Sequence, residues 1–207
     1  MGKYVERFNT KERVLHWFVT VSFLTLVLSG IGLFSRLFQG YFDLFGGGVS
    51  AILVHKYAGV TFVIASLLLF LNHYKEMNFF DEDDRHWFRI LGGYLDRNPE
   101  HINSGKFNAG QKGYGIFMGV ATILLGVTGF INWFPLSFPI GIVRVSLLLH
   151  GLMFILFIMF VIVHAYLTTI GNPGTLESMI YGNVQRIWAK KHHPKWYKEV
   201  TGQEKPT

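Results

Sequence analysis

Four long stretches almost free of charge constrain this chain more than any other feature. They run from Val14 to Ser35, Ala51 to Asn72, Gly113 to Phe134 and Val145 to Ile170, interrupted only by Lys56. Each is long enough to cross a hydrocarbon core of ~30 Å at a rise of ~1.5 Å per helical residue. Lipid offers no water to the backbone, so every span must pair its own N–H and C=O groups, and a helix does so. No stretch alternates in the manner of a barrel strand. The expectation is an all-α integral membrane four-helix bundle, a single domain of residues 1–207 with a loop at 73–112 and a tail at 171–207. The first span is preceded by mixed acids and bases, which reads as a retained helix rather than a cleaved signal.

Four spans put both termini on one side. The N-terminal arm carries Lys3, Arg7, Lys11 and Arg13. The middle loop carries Lys75, Arg85, Arg89, Arg97, Lys106 and Lys112, and the tail Arg186, Lys190, Lys191, Lys195, Lys198 and Lys205. Only Arg36, Lys56 and Arg144 of the 19 basic residues fall on the other side. Basic residues concentrate in cytoplasmic segments, so both termini are expected in the cytoplasm, with the chain multi-pass in a bacterial inner membrane. The same rule accounts for the net charge of +6 without nucleic acid. The acidic run Asp81–Asp84 reads as a helix start, and the tail, with Trp188, Trp196 and Tyr197 among lysines, as an interfacial amphipathic stretch. Gly46-Gly47-Gly48 reads as a flexible outer loop.

Cysteine is absent, which excludes disulfides, cysteine-ligated clusters and covalently attached haem within this chain. The ligand candidates are histidines, because ionisable groups inside spans are costly and functional by default. His150 and His164 lie 14 residues apart on the fourth span, close to four turns, and so share a face about 21 Å apart in depth. His16 opens the first span at the cytoplasmic end and His55 the second at the outer end. Matching by depth pairs His16 with His164 and His55 with His150. Two pairs at two depths suit two bis-histidine b haems. Gly30, Gly32, Gly59, Gly126, Gly129 and Gly151 would admit a flat macrocycle, although small residues equally let membrane helices pack closely. A di-iron site needs clustered histidines, and the only adjacent pair is His192-His193 in the tail. His73, His86 and His101 read as ordinary loop histidines.

Several segments carry a resemblance. RVLHW at Arg13–Trp17, LSGIGLF at Leu28–Phe34, KFNAGQK at Lys106–Lys112, VRVSLLLH at Val143–His150, VHAY at Val163–Tyr166 and WAKKHHPKWY at Trp188–Tyr197 resemble the cytochrome b556 (gamma) subunits of membrane-bound respiratory formate dehydrogenases. The resemblance runs along nearly the whole chain and implies the pairing that depth gave: His55 and His150 on a periplasmic-side haem b, His16 and His164 on a cytoplasmic-side one. It further implies a menaquinone or ubiquinone site at Asn108, Gly110, Gln111 and His164, and partners in an iron–sulfur (beta) subunit and a catalytic (alpha) dehydrogenase subunit. Read without it, Asn108–Lys112 is a helix-capping turn.

The expected function is quinone reduction on the cytoplasmic side with electrons carried inward. Competing readings are the cytochrome b subunit of a hydrogenase or another dehydrogenase, a stand-alone b561-like transmembrane reductase, and a non-redox membrane scaffold or transporter.

Overall fold

The structure is a computed structural model that describes residues 2–93 and 103–202; Arg97, His101, Lys205 and Thr207 lie outside them. Strand β1 (Tyr4–Glu6) leads into helix α1 (Thr10–Phe34). A 3-10 helix, Arg36–Phe45, precedes α2 (Gly48–Asn72), and two short helices follow, α3 (Tyr74–Asn78) and α4 (Glu82–Arg89). Then come α5 (Ala109–Trp133) and α6 (Ile140–Tyr166), the latter ending in a π-helical turn at Leu167–Gly171. The described residues finish with α7 (Glu177–Ile180), strand β2 (Asn183–Gln185), α8 (Arg186–His192) and α9 (Pro194–Thr201).

The helices α1, α2, α5 and α6 are long and apolar enough to cross a membrane. Each begins three to five residues before its apolar block, and at α1 and α5 the reason is a polar cap, since a helix starts at its cap. At α1, Asn9 Oδ1 accepts from the Glu12 N–H at 3.0 Å while Glu12 Oε2 accepts from the Asn9 N–H at 2.6 Å. Such a reciprocal pair satisfies donors that the first turn leaves open.

The chain divides into two compact units. The helical unit comprises Val14–Leu69 and Met118–Ile162. At its heart Phe157, 1% exposed, packs against Phe62 and Phe23 at ring distances of 5.5 and 5.2 Å. Phe62 lies seven residues past His55, and Phe157 seven residues from both His150 and His164. The outward faces carry exposed Leu24, Val60, Ile64 and Leu148. Apolar surface of that extent is expected against lipid. Gly46-Gly47-Gly48, expected as a flexible loop, is instead a defined cap: Gly46, at φ 78°, closes the 3-10 helix, and α2 begins at Gly48.

The polar unit comprises Met1–Arg13, Phe70–Phe117 and Val163–Thr207. Strands β1 and β2 pair antiparallel, with Val5 opposite Val184. Val184, Ala189, Trp196 and Tyr197 form a buried cluster, with Val5 and Trp188 against it. The tail is therefore a folded element whose aromatics pack on protein. Arg7 is buried, with its guanidinium 5.3 Å from the Phe8 ring and 4.8 Å from that of Trp188, and it donates to His193 Nε2 at 2.9 Å. The acidic run does start a helix: Asp81 and Asp84 cap α4 reciprocally, while Lys195 donates to Asp81 at 2.6 Å and Lys112 pairs with Asp84.

Candidate functional site

Within the helical unit, His55 of α2 and His150 of α6 face each other with ring centroids 6.4 Å apart and planes at 67°. Each ring is held by a hydroxyl from a neighbouring helix. His55 Nδ1 lies 3.1 Å from Ser29 Oγ on α1, and His150 Nδ1 lies 2.9 Å from Thr128 Oγ1 on α5. Both hydroxyl protons are engaged elsewhere, because Ser29 Oγ donates to the Thr25 carbonyl at 2.7 Å and Thr128 Oγ1 to the Leu124 carbonyl at 2.6 Å. What the oxygens have left is lone pairs. With the hydroxyl protons so placed, Nδ1 is the donor, a tautomer assigned from the hydrogen-bond network that leaves the lone pair of each ring on Nε2. A neutral imidazole with its Nδ1–H anchored is the arrangement that metal-ligating histidines show.

The separation fits one metal between the rings. A metal–imidazole bond of about 2 Å on each side, plus the roughly 1 Å from each nitrogen to its ring centre, sums to about 6 Å. Glycines make room for the rings. A Cβ at Gly30 would stand 2.7 Å from His55 Cε1, and one at Gly129 would stand 3.4 Å from His150 Cε1. The other candidates divide differently: Gly32 lies against Phe42, Gly126 against Val63, Gly151 against Phe34 and Gly59 against Leu26. Ser146, one turn before His150, donates to the Thr128 carbonyl at 2.9 Å and ties α6 to α5 at this level.

His16 belongs to the same unit, with the Trp17 ring edge-on at 5.8 Å and its carbonyl accepting from Thr20 Oγ1 at 2.9 Å. In the polar unit His164 stacks on Tyr114, with centroids 4.8 Å apart and planes within 3°. Tyr114 stands three residues after Gln111 on α5, on a neighbouring part of the same helix face. Asn108 and Gln111 form a reciprocal cap: Asn108 Oδ1 accepts from the Gln111 N–H at 2.9 Å, and Gln111 Oε1 from the Asn108 N–H at 3.0 Å. The capping turn read from residue types is thus present. It uses the carbonyl oxygens of both side chains, and the amide NH2 groups are the ends that can donate to a ligand carbonyl. Gly110 sits in the first turn of α5, where an N–H has no intrahelical acceptor, and a Cβ there would meet the Trp87 indole at 2.5 Å.

Two roles escaped the sequence. Ser29 and Thr128 position ring nitrogens, and the available signal was a hydroxyl residue directly before glycine in spans one and three. His73, expected to be an ordinary loop histidine, is 4% exposed and set between two carboxylates. Its signal was faint, a histidine one residue beyond an apolar span.

Residues 7–182 match the family described as prokaryotic cytochrome b561. The nitrate-inducible formate dehydrogenase cytochrome b556(Fdn) subunit of Escherichia coli is 34% identical over 204 residues, covering 96% of this chain and 93% of that one. The cytochrome b556(fdo) subunit of formate dehydrogenase from the same species is 31% identical over 199 residues, covering 95% and 93%. A formate dehydrogenase cytochrome b556 subunit of Haemophilus influenzae is 29% identical over 197 residues, covering 93% and 82%.

Proposed function

The chain belongs to the prokaryotic cytochrome b561 family, and we propose that it is the dihaem cytochrome b subunit of a respiratory formate dehydrogenase-type complex. In this reading it accepts electrons from a periplasmic iron–sulfur subunit and reduces a quinone on the cytoplasmic side, where both termini lie. The observation that carries the reading is the His55–His150 pair, with Nδ1 of each ring 3.1 and 2.9 Å from the Ser29 and Thr128 hydroxyls and a ring spacing that suits one iron.

The chain's own residues would act as follows. His55 and His150 hold one haem b, and His16 and His164 hold the second at the other depth. When bound, the two haems supply one-electron transfer between the iron–sulfur donor and the quinone. Phe23, Phe62 and Phe157 pack on one another within the helical unit and keep water from its centre. The amide NH2 groups of Asn108 and Gln111, with the Gly110 N–H, hold quinone carbonyls beside the Tyr114–His164 stack. Electrons moving inward oppose the membrane potential by about 2.3 kcal/mol per 100 mV, so a strongly reducing donor such as formate suits this direction.

Purification from native membranes tests the reading. The expected preparation has two low-spin b haems per chain by pyridine haemochrome, a co-purifying iron–sulfur protein, and haem reduction on adding formate. One haem or none removes the dihaem assignment. A hydrogenase large subunit in the preparation would move the chain to that complex, and the lack of any partner would leave a stand-alone reductase.

A further inference from the structure

In the polar unit a chain of titratable side chains leads from solvent into the protein. Glu76 on α3, with its side chain 41% exposed, has Oε2 3.3 Å from His73 Nδ1. On the other side of the ring, His73 Nε2 lies 3.4 Å from Oε1 of Glu12 on α1. The side chains of His73 and Glu12 are 5% and 7% exposed. Lys106 donates to the same Glu12 oxygen at 3.1 Å, stands 3.8 Å from Glu76, and precedes Asn108 by two residues. The Phe8 and Phe107 rings enclose His73 at 6.0 and 5.1 Å. A histidine that only needed burial would need one partner. This one has a carboxylate at each nitrogen, one wet and one dry, and imidazole can take a proton on one nitrogen while releasing one from the other.

We propose that Glu76, His73 and Glu12 form the proton entry path for the quinone held at the Asn108 loop, an inference that rests on the quinone reduction proposed above. The Glu76 carboxyl passes a proton to His73 Nδ1, and the Nε2 proton passes to Glu12 Oε1. Glu12 then releases that proton toward the quinone oxygens and is left ionised, Glu76 regains one from solvent, and a turn of the ring carries its remaining N–H back to the Glu12 side, which resets the path. Two such passages supply the two protons that, with two electrons, convert a quinone to a quinol. Lys106 holds Glu12 in place and keeps positive charge beside the path, which discourages a lasting imidazolium. Burial, then Lys106, pulls His73 below the usual imidazole range against the opposing effect of Glu12 and Glu76, so the ring rests neutral and ready to accept.

The test uses the complex purified with all its subunits, reduced with dithionite and mixed anaerobically with decylubiquinone or menadione while the haem band is followed. Glu76→Gln and His73→Ala should slow haem reoxidation at least roughly tenfold at alkaline pH, given the 10²–10⁴-fold effects of positioned proton transfer. They should also raise the solvent deuterium isotope effect and keep haem content unchanged. Added imidazole should restore the His73→Ala rate, which it would not do if the residue merely braced the fold. If His73→Ala fails to assemble, the exposed Glu76→Gln decides. Unchanged rates at every pH, or slowing that is independent of pH and unaffected by imidazole, overturn the path alone. If the unsubstituted complex shows no quinone-driven reoxidation, the function and the path fall together.

Discussion

Thr128→Val and Ser29→Ala test the tautomer argument at its base. Valine keeps the shape of threonine and alanine removes one atom from serine, so packing changes little while the acceptor for a ligand ring proton disappears. At Thr128 the lost contact is the 2.9 Å bond to His150 Nδ1, and at Ser29 the 3.1 Å bond to His55 Nδ1. The net loss of such a bond is ~0.5–1.5 kcal/mol, rising to ~1–3 kcal/mol when the buried partner is left unpaired. At about 1.4 kcal/mol per tenfold, the upper range weakens haem retention by roughly 5- to 150-fold, in line with the 10–100-fold typical of outer-shell partners of metal ligands. A ring whose Nδ1–H is no longer accepted is a poorer electron donor to ferric iron. The potential of the haem that remains bound should therefore rise, by up to roughly 60 mV for 1.5 kcal/mol in a one-electron couple. Haem stoichiometry and a redox titration of the two b bands read both effects, with Thr61→Val on the exposed face of α2 as control. Full retention with unchanged potential in both variants would refute the assignment of the Nδ1 protons. So would loss of the haem held by His16 and His164 in place of its partner.

Gly30→Ala should abolish the same haem, because its Cβ would lie 2.7 Å from the His55 ring, whereas Gly59→Ala, with 3.8 Å to Leu26, should keep it; absorbance of the purified variants decides. Gln111→Glu retains the capping oxygen but loses the NH2 donor, so quinone reduction should fall while both haems remain reducible. If Gln111→Glu turns over normally and only Gln111→Leu is impaired, the residue is a cap alone. A reporter inserted at Gly47 should be active outside the cell and one fused after Thr207 in the cytoplasm; the reverse pattern overturns the orientation. Burial, followed by the Arg7 guanidinium, holds His193 well below the usual imidazole range. The undocked tail would take up a proton near pH ~6.5 and the docked tail far lower, so docking is full above that value and weakens by up to about 1.4 kcal/mol per pH unit below it. Hydrogen exchange of the tail between neutral and mildly acidic pH should show this, and His193→Asn should flatten it.

The residues that local pattern reveals are those whose meaning lies within one helix. Apolar runs of membrane length, basic residues gathered between them, and the 14-residue spacing of His150 and His164 are all properties of a single segment read at a single period. They were legible because lipid permits almost no other solution, and because a helix places residues at computable depths. The helices begin ahead of the apolar blocks, since hydropathy counts side chains while at α1 and α5 the first turn depends on the caps Asn9–Glu12 and Asn108–Gln111. The KFNAGQK block revealed both a cap and a resemblance, and residue types alone could not rank the two.

What tertiary structure decided are choices of partner. Ser29 reaches a histidine 26 positions away and Thr128 one 22 positions away, and His73 meets Glu12 from 61 positions along the chain. Arg7 and His193, read as one more positive charge and one more tail histidine, form a buried pair 186 residues apart. A side chain's chemistry is set by what shares its low-dielectric surroundings, and sequence distance carries no record of that. Hydropathy announced that His55 and His150 stand within apolar spans; only packing could say that Nδ1 of each ring is the nitrogen that meets a hydroxyl from a neighbouring helix.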